Sequence, residues 1–300
     1  MNPSRLYDVV CIGNYTRDTI ISPSGTKYVD GGGMNYAAHA AARLGLNVAV
    51  VTRLAKEDER VVTKFTAAGI DCFPTFTPRS TEMCLDYPTS NPDIRNLSVN
   101  AVAGAITVGE VENIEMKAAV ISSSLRGEVG LDVIRALKTK KTFLAADMQG
   151  FVRVLQGKSL VYASWTEMQA TLACLDVLKS DAVEAEYLTG EADIHKAAEI
   201  YTRMGPKEIV LTHKDGLLIL ADGKSYEMGF YPVQMDGRSG RGDTCIGAYV
   251  AMRLSKPAHE AGIWAAAVTS LKMEKLGPFD RPASDVESFI RLKYDHGSIY

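Results

Sequence analysis

The sequence predicts an α/β fold whose sheet is mainly parallel and covered by helices on both faces, and three observations carry that expectation. Short, near-continuous apolar runs recur along the chain, helix-type patterns separate them, and 46% hydrophobic with 23% charged residues is an ordinary globular balance. A chain of 300 residues is long enough to bury about three quarters of its unfolded surface without disulfide or metal. At roughly 100–200 residues per domain, one domain spanning residues 1–300 is expected.

In order, Val9-Val10-Cys11-Ile12 reads as a buried strand and Asn35 to Leu44 as a helix, its run Ala37-Ala38-His39-Ala40-Ala41-Ala42 suited to close packing. Asn47 to Val51 repeats the strand pattern, and Asp58 to Ala68 reads as a helix closed by Gly69. Further strands are expected at Ala118–Ile121, Thr142–Ala145, Leu175–Leu178 and Glu208–Leu211. Two islands break the alternation. Thr19–Ser22 and Lys27–Val29, joined by Pro23-Ser24-Gly25, form a hairpin pattern. Cys72 to Asn100 holds Pro74, Pro78, Pro88 and Pro92 among short strand-like pieces. Segments of about 15–30 and 72–100 are therefore expected to build a small sheet over one edge of the main one.

Charge and cysteines exclude several functions. With 33 basic and 36 acidic residues there is no footprint for nucleic acid, and no charge run suits an anionic membrane. Five cysteines (Cys11, Cys72, Cys84, Cys174, Cys245) lack Cys-x-x-Cys spacing, which is reduced usage. An acidic residue, Asp8, precedes any apolar run, and no stretch approaches membrane-span length; a cytoplasmic location is expected. Familiar motifs fail as well. Gly157-Lys158-Ser159 has Val152 where a P-loop needs glycine, and Gly240-x-Gly242 has Cys245 where a dinucleotide fingerprint needs its third.

Two glycine clusters remain. Gly237-Arg238-Ser239-Gly240-Arg241-Gly242-Asp243-Thr244-Cys245 leads into a helical pattern from Ile246. Side-chain-free amides at a helix start make a concave site for phosphate charge, and a carboxylate there can take a proton from an attacking hydroxyl. An aspartate merely capping the helix is the alternative. Asp30-Gly31-Gly32-Gly33-Met34-Asn35 also precedes a helix, letting a ligand approach the backbone while Asp18 and Asn35 bond hydroxyls.

Gly31-Gly32-Gly33 before an alanine-rich helix ending Ala42-Arg43-Leu44-Gly45, together with Gly240-x-Gly242-Asp243-Thr244, resembles the two signatures of the ribokinase-like (PfkB) carbohydrate kinases over nearly the whole chain. Asp147–Val154, Gly237–Cys245 and Ala266–Met273 are similar to the myo-inositol kinase branch. The resemblance implies a doubly wound sheet with a β lid, and ATP- and Mg²⁺-dependent phosphorylation of a small polyol, myo-inositol first. It matches Asp243 to the catalytic base, Gly240, Arg241 and Gly242 to the anion hole, and Asp18, Gly32 and Gly33 to acceptor-holding positions. Glu184, with Asp181 where the family has asparagine, matches an acid that organises magnesium and phosphate. Thr212 and Gly216 match a nucleotide-binding turn, and Ala266 and Ser270 the adenine wall. The first signature's asparagine aligns at Tyr36 without a gap. Arg241 stands where a small residue is usual, and His213-Lys214 follows Thr212 without the middle glycine.

Within that implication, Asp18, Asn35, Asp147, Gln149 and Arg153 are side chains able to hold neutral hydroxyls, unless Asp147 and Arg153 pair with each other. For Arg241, phosphate contact competes with pairing to Asp181 or Glu184. A furanose or keto-sugar kinase and a catalytically silent nucleotide-binding regulator are the alternatives. The oligomeric state, a homodimer included, is left open by the sequence.

Overall fold

The computed structural model describes residues 5–89 and 96–294; Pro92 of the second island lies outside them. The first half of the chain runs β1 (Tyr7–Ile12), β2 (Thr16–Ser22), β3 (Gly25–Gly31), α1 (Gly33–Arg43), β4 (Val48–Ala55), α2 (Arg60–Ala67), β5 (Asp71–Thr77), β6 (Thr81–Asp86), β7 (Asn96–Ala101), β8 (Met116–Ile121), α3 (Leu131–Thr139) and β9 (Phe143–Asp147). The second half runs α4 (Gln149–Val152), β10 (Arg153–Gln156), β11 (Ser159–Tyr162), α5 (Met168–Leu172), β12 (Val177–Asp181), α6 (Ala182–Thr189), α7 (Ile194–Arg203), β13 (Glu208–Thr212), β14 (Gly216–Ala221), β15 (Lys224–Gly229), α8 (Arg241–Arg253), α9 (Ala258–Met273) and α10 (Ala283–Lys293).

Nine strands form the main sheet in the order β15-β14-β13-β12-β9-β8-β1-β4-β5. Pairing is parallel from β12–β13 across to β5 and antiparallel at β13–β14–β15. The continuous apolar runs follow from burial on both faces. Val9 and Cys11, Val48 and Val50, and Ala118 and Val120 enter one core with α1, α8 and α9, while Val10, Ile12, Ala49, Val51, Ala119 and Ile121 enter the other. These strands thus feed two cores at period two, which is why their apolar runs are continuous. Gly69 ends α2 at φ 77° as expected. The chain winds outward from β1 in both directions, so the switch between β1 and β8 is where such sheets bind ligands at their carboxyl ends.

The second sheet has the order β10-β11-β7-β6-β2-β3, and its composition corrects the expected boundaries. Residues 72–77 do not belong to it. They form β5, parallel to β4 at the main sheet's edge, with Val50 opposite Cys72; the β4–α2–β5 crossover fixes that pairing, and an edge strand accommodates Pro74. The hairpin β10–β11 joins instead. Gly157-Lys158, where a P-loop fails, is simply its turn, with Gly157 at φ 62°. On one face of this sheet Thr16, Asp18 and Ile20 of β2 continue into Met83 and Leu85 of β6 and Leu97 of β7, and all six line the cavity described below. Among the described residues no helix is long and apolar enough to cross a membrane.

Candidate active site

A cavity of about 680 Å³ lies between the second sheet and the carboxyl ends of the main strands. Two helices open onto it, each started by a glycine with positive φ: Gly32 (97°) before α1 and Gly240 (75°) before α8. At both positions side-chain-free backbone also permits close approach. A Cβ at 32 would stand 2.6 Å from the Asn14 carbonyl oxygen, and one at 240 would enter the Tyr36 ring. The helix after the second cluster begins at Arg241, five residues earlier than its apolar run suggests. Asp243 therefore sits in the first turn, not at the cap, and the capping alternative fails. Arg241, Gly242 and Asp243 of that first turn line the cavity, and a helix start is where backbone N–H groups suit an anion.

α8 can lie in this position because it is buried nearly all round between α1, α9 and the sheet. Gly247 lets it touch the backbone of Ala37, which is why the facing side of α1 is alanine. This packing places Asp243 against Gly33, where any Cβ would collide with its carboxylate. The Asp243 Oδ1 atom is buried without a hydrogen-bond partner, and so is Oδ1 of Asp18 across the cavity. Buried acceptors left open in this way are what hydroxyl donors of a ligand would satisfy. Burial, then the nearby Asp147, push the Asp243 carboxyl up to about 7 against the pull of Lys179 and Arg153. Burial pushes Asp18 up to about 6.

The sequence did not single out Lys179. It interrupts the apolar strand β12, is 4% exposed, and its Nζ lies 2.9 Å from Asp147 Oδ2, beneath Gly242. Burial opposes its charge, but Asp147, Glu184, Asp181 and Asp243 outweigh burial and hold it protonated. The only signal in the chain was a lysine inside a strand otherwise buried on both faces.

Of the residues expected at the site, Asp18, Gly32, Gly33, Gln149, Arg153, Asp181, Thr212, Gly240, Arg241, Gly242 and Asp243 line the cavity. Asn35 does not: its amide donates to the Asp30 carbonyl at 3.1 Å, and Tyr36 lines the cavity in its place. Asp147 and Arg153 do not pair with each other. Asp147 pairs with Lys179, and Arg153 with Glu184 at 3.5 Å. Asp147 is thereby withdrawn from acceptor contact. Gly216 is packed against the Met228 backbone, and the buried Ala266 and Ser270 are closed off, Ser270 Oγ donating to the Ala266 carbonyl and accepting from Tyr231 N–H. The expected adenine wall is thus filled by protein.

Glu184 is bound into the start of α6. Asp181 caps α6 by accepting from Glu184 N–H at 2.8 Å, and Glu184 returns a bond to Asp181 N–H at 3.0 Å while facing Arg153. Burial and then Asp181 push the Glu184 carboxyl up to about 7. Both its oxygens are engaged, and among the described residues no group of three His, Cys, Asp or Glu side chains is placed to hold a metal ion. Glu184 thus ties the start of α6 to Arg153, a cavity-lining cation. Arg241 lines the cavity in the first turn of α8. Arg241→Ala is expected to lower kcat and raise the KM of the phosphate donor more than that of the acceptor, with little change in Tm. Steady-state kinetics beside thermal melts would show it, and a large Tm loss with unchanged kinetics would make Arg241 structural.

Comparison with known proteins agrees with this geometry. The description pfkB family carbohydrate kinase matches residues 7–283. A pyrophosphate-dependent kinase in the ribokinase family, solved as a sulfate complex, is 34% identical with a TM-score of 0.87, covering 93% of this chain and 99% of that one. Such a kinase complexed with a pyrophosphate analog and myo-inositol is 33% identical (TM-score 0.86; 93% and 99% covered). A pyrophosphate-dependent myo-inositol-1 kinase converted into a myo-inositol-3 kinase by two leucine substitutions is 32% identical (TM-score 0.86; 95% and 99% covered). The Arabidopsis thaliana ribokinase shares the fold at 16% identity (TM-score 0.76). A search of curated proteins finds no match. With the family matched over residues 7–283 and a ribokinase-like fold whose two glycine-started helices meet at one cavity, this chain belongs to the pfkB family of carbohydrate kinases and is a phosphotransferase acting on a sugar or polyol.

Proposed function

We propose that the enzyme phosphorylates myo-inositol with pyrophosphate as donor. The observation that carries this reading is the asymmetry of the donor side. Lys179, Arg153, Arg238 and Arg241 and the start of α8 gather on the cavity, whereas Gly216, Ala266 and Ser270 are closed. A compact polyanion suits such a site, because fixed cations and free amides need no base pocket. The acceptor would lie under the second sheet, its hydroxyls on Asp18 and Gln149 and a C–H face on Met83, Leu85 and Leu97. Asp243 would take the proton of the attacking hydroxyl while the α8 amides and Lys179 meet charge on the transferring phosphoryl group. The second sheet would exclude water, the competing acceptor.

The hydroxyl attacked is read as the 3-position. Leu85 and Leu97 stand opposite each other on β6 and β7, both on the cavity, and a relative becomes a 3-kinase on gaining two leucines. ATP is the second reading, favoured by Val183, Met235 and Leu276, exposed apolar residues at the cavity rim where a base would seat. Crossing pyrophosphate and ATP with myo-inositol, ribose and fructose, with products followed by phosphorus NMR and chiral chromatography, tests all of this. Pyrophosphate with myo-inositol should turn over fastest and give the 3-phosphate. Turnover with ATP alone would overturn the donor, and a sugar preferred over inositol would overturn the acceptor.

A further inference from the structure

Lys272 near the end of α9 is 2% exposed. Its Nζ donates to the backbone carbonyls of Gly237 and Ser239, in the turn that leads into α8. Its ammonium lies 5.2 Å from the centre of the Tyr36 ring, the ring on which Gly240 packs. The same turn is held to the end of α9 by Gly237 N–H donating to the Met273 carbonyl at 2.8 Å, and residue 237 approaches the Lys275 backbone so closely that any Cβ would collide. Within the turn, the bond from Arg241 N–H to the Arg238 carbonyl is long at 3.3 Å.

Burying an ammonium costs several kcal/mol unless charge and hydrogen bonds offset it. Among the described residues no carboxylate lies within ion-pair distance of Lys272, so an apolar residue of its length would serve stability as well. What the ammonium does that an apolar chain cannot is grip two carbonyls of one turn, and fixing those carbonyls fixes the direction of the amides that follow. We propose that Lys272 is a positioning residue for the anion-binding turn, holding the first amides of α8 on the transferring phosphoryl group. The inference stands on the family's phosphoryl transfer and is independent of which donor is used.

The ionisable groups facing Lys272 are Tyr36 from α1 and Asp243 from α8. Burial draws its ammonium down to about 8, with Asp243 pulling the other way. Charge, and with it the charge-assisted strength of the grip on the turn, is present below that pH and falls away above it.

The test compares Lys272→Met and Lys272→Arg with the wild type, varying pyrophosphate, ATP and acceptor separately and following amide hydrogen exchange over 237–245. Lys272→Met is expected to stay folded, exchange faster in that segment, lose about 10–100-fold in kcat, and raise the donor KM with the acceptor KM unchanged. The wild-type rate should fall above about pH 8, a limb missing from Lys272→Met; Lys272→Arg, charged throughout that range, should recover part of the rate and also lack the limb. Wild-type kinetics and unchanged exchange in Lys272→Met would overturn the proposal. If that variant fails to fold, a wild-type rate that stays flat above about pH 8 overturns it. Failure of pyrophosphate or inositol as substrates would overturn the proposed function and leave the exchange result to decide this one.

Discussion

Asp243→Asn is expected to reduce kcat by about 10²–10⁴, the range for loss of a general base, with the acceptor KM little changed. The carboxyl group is in the first turn of α8, buried beside the cavity, with Oδ1 lacking a hydrogen-bond partner. Asparagine keeps the volume and cannot take the proton. Because the carboxyl is raised to about 7, the wild-type kcat/KM should climb as pH rises through that value and the base ionises; the residual Asn rate should lack this limb. Stability runs the other way. The folded value lies above the ordinary 3.8, so this group's contribution is present below about 4 and lost as pH rises through about 7. Asp243→Asn should thus melt no lower than the wild type, and melts at neutral pH should show the relief. Near wild-type turnover in Asp243→Asn would remove the residue from the mechanism.

Lys179→Met should be nearly as costly to catalysis and much more costly to the fold. Losing a preorganised positive group aimed at developing charge costs about 10²–10³ in kcat. The substitution also leaves Asp147 buried without its partner 2.9 Å away, and breaking a buried pair from one side costs about 3–5 kcal/mol. The two effects separate in the double variant Lys179→Met with Asp147→Asn. Neutralising the orphaned acid should recover most of the Tm and none of the kcat. Recovery of turnover together with Tm would mean that Lys179 only supports the fold.

The strands of the main sheet were legible because both their faces are buried, so apolarity is continuous and no other element tolerates it over so few residues. Both glycine clusters were legible because only glycine permits the close approaches at 32 and 240. The second sheet was legible only in part. Its cavity-facing residues alternate as strands do, but which strands join it depends on crossover connections that bring β5 to the main edge and the β10–β11 hairpin across.

Taken by itself, the sequence determined the α/β class and the two glycine clusters that start helices at the cavity, with Asp243 in the second, since these depend on local rules: strand burial, helix starts and glycine backbone. Only the tertiary structure decided the partners. Asp147 goes to Lys179 and Arg153 to Glu184, Lys272 reaches back from α9 to the turn before α8, and Ala266 and Ser270 are sealed from the cavity. The three charged pairings join residues from separate elements, 31 to 35 positions apart, and the choice among competing charges is set by distance and burial, which no spacing along the chain encodes.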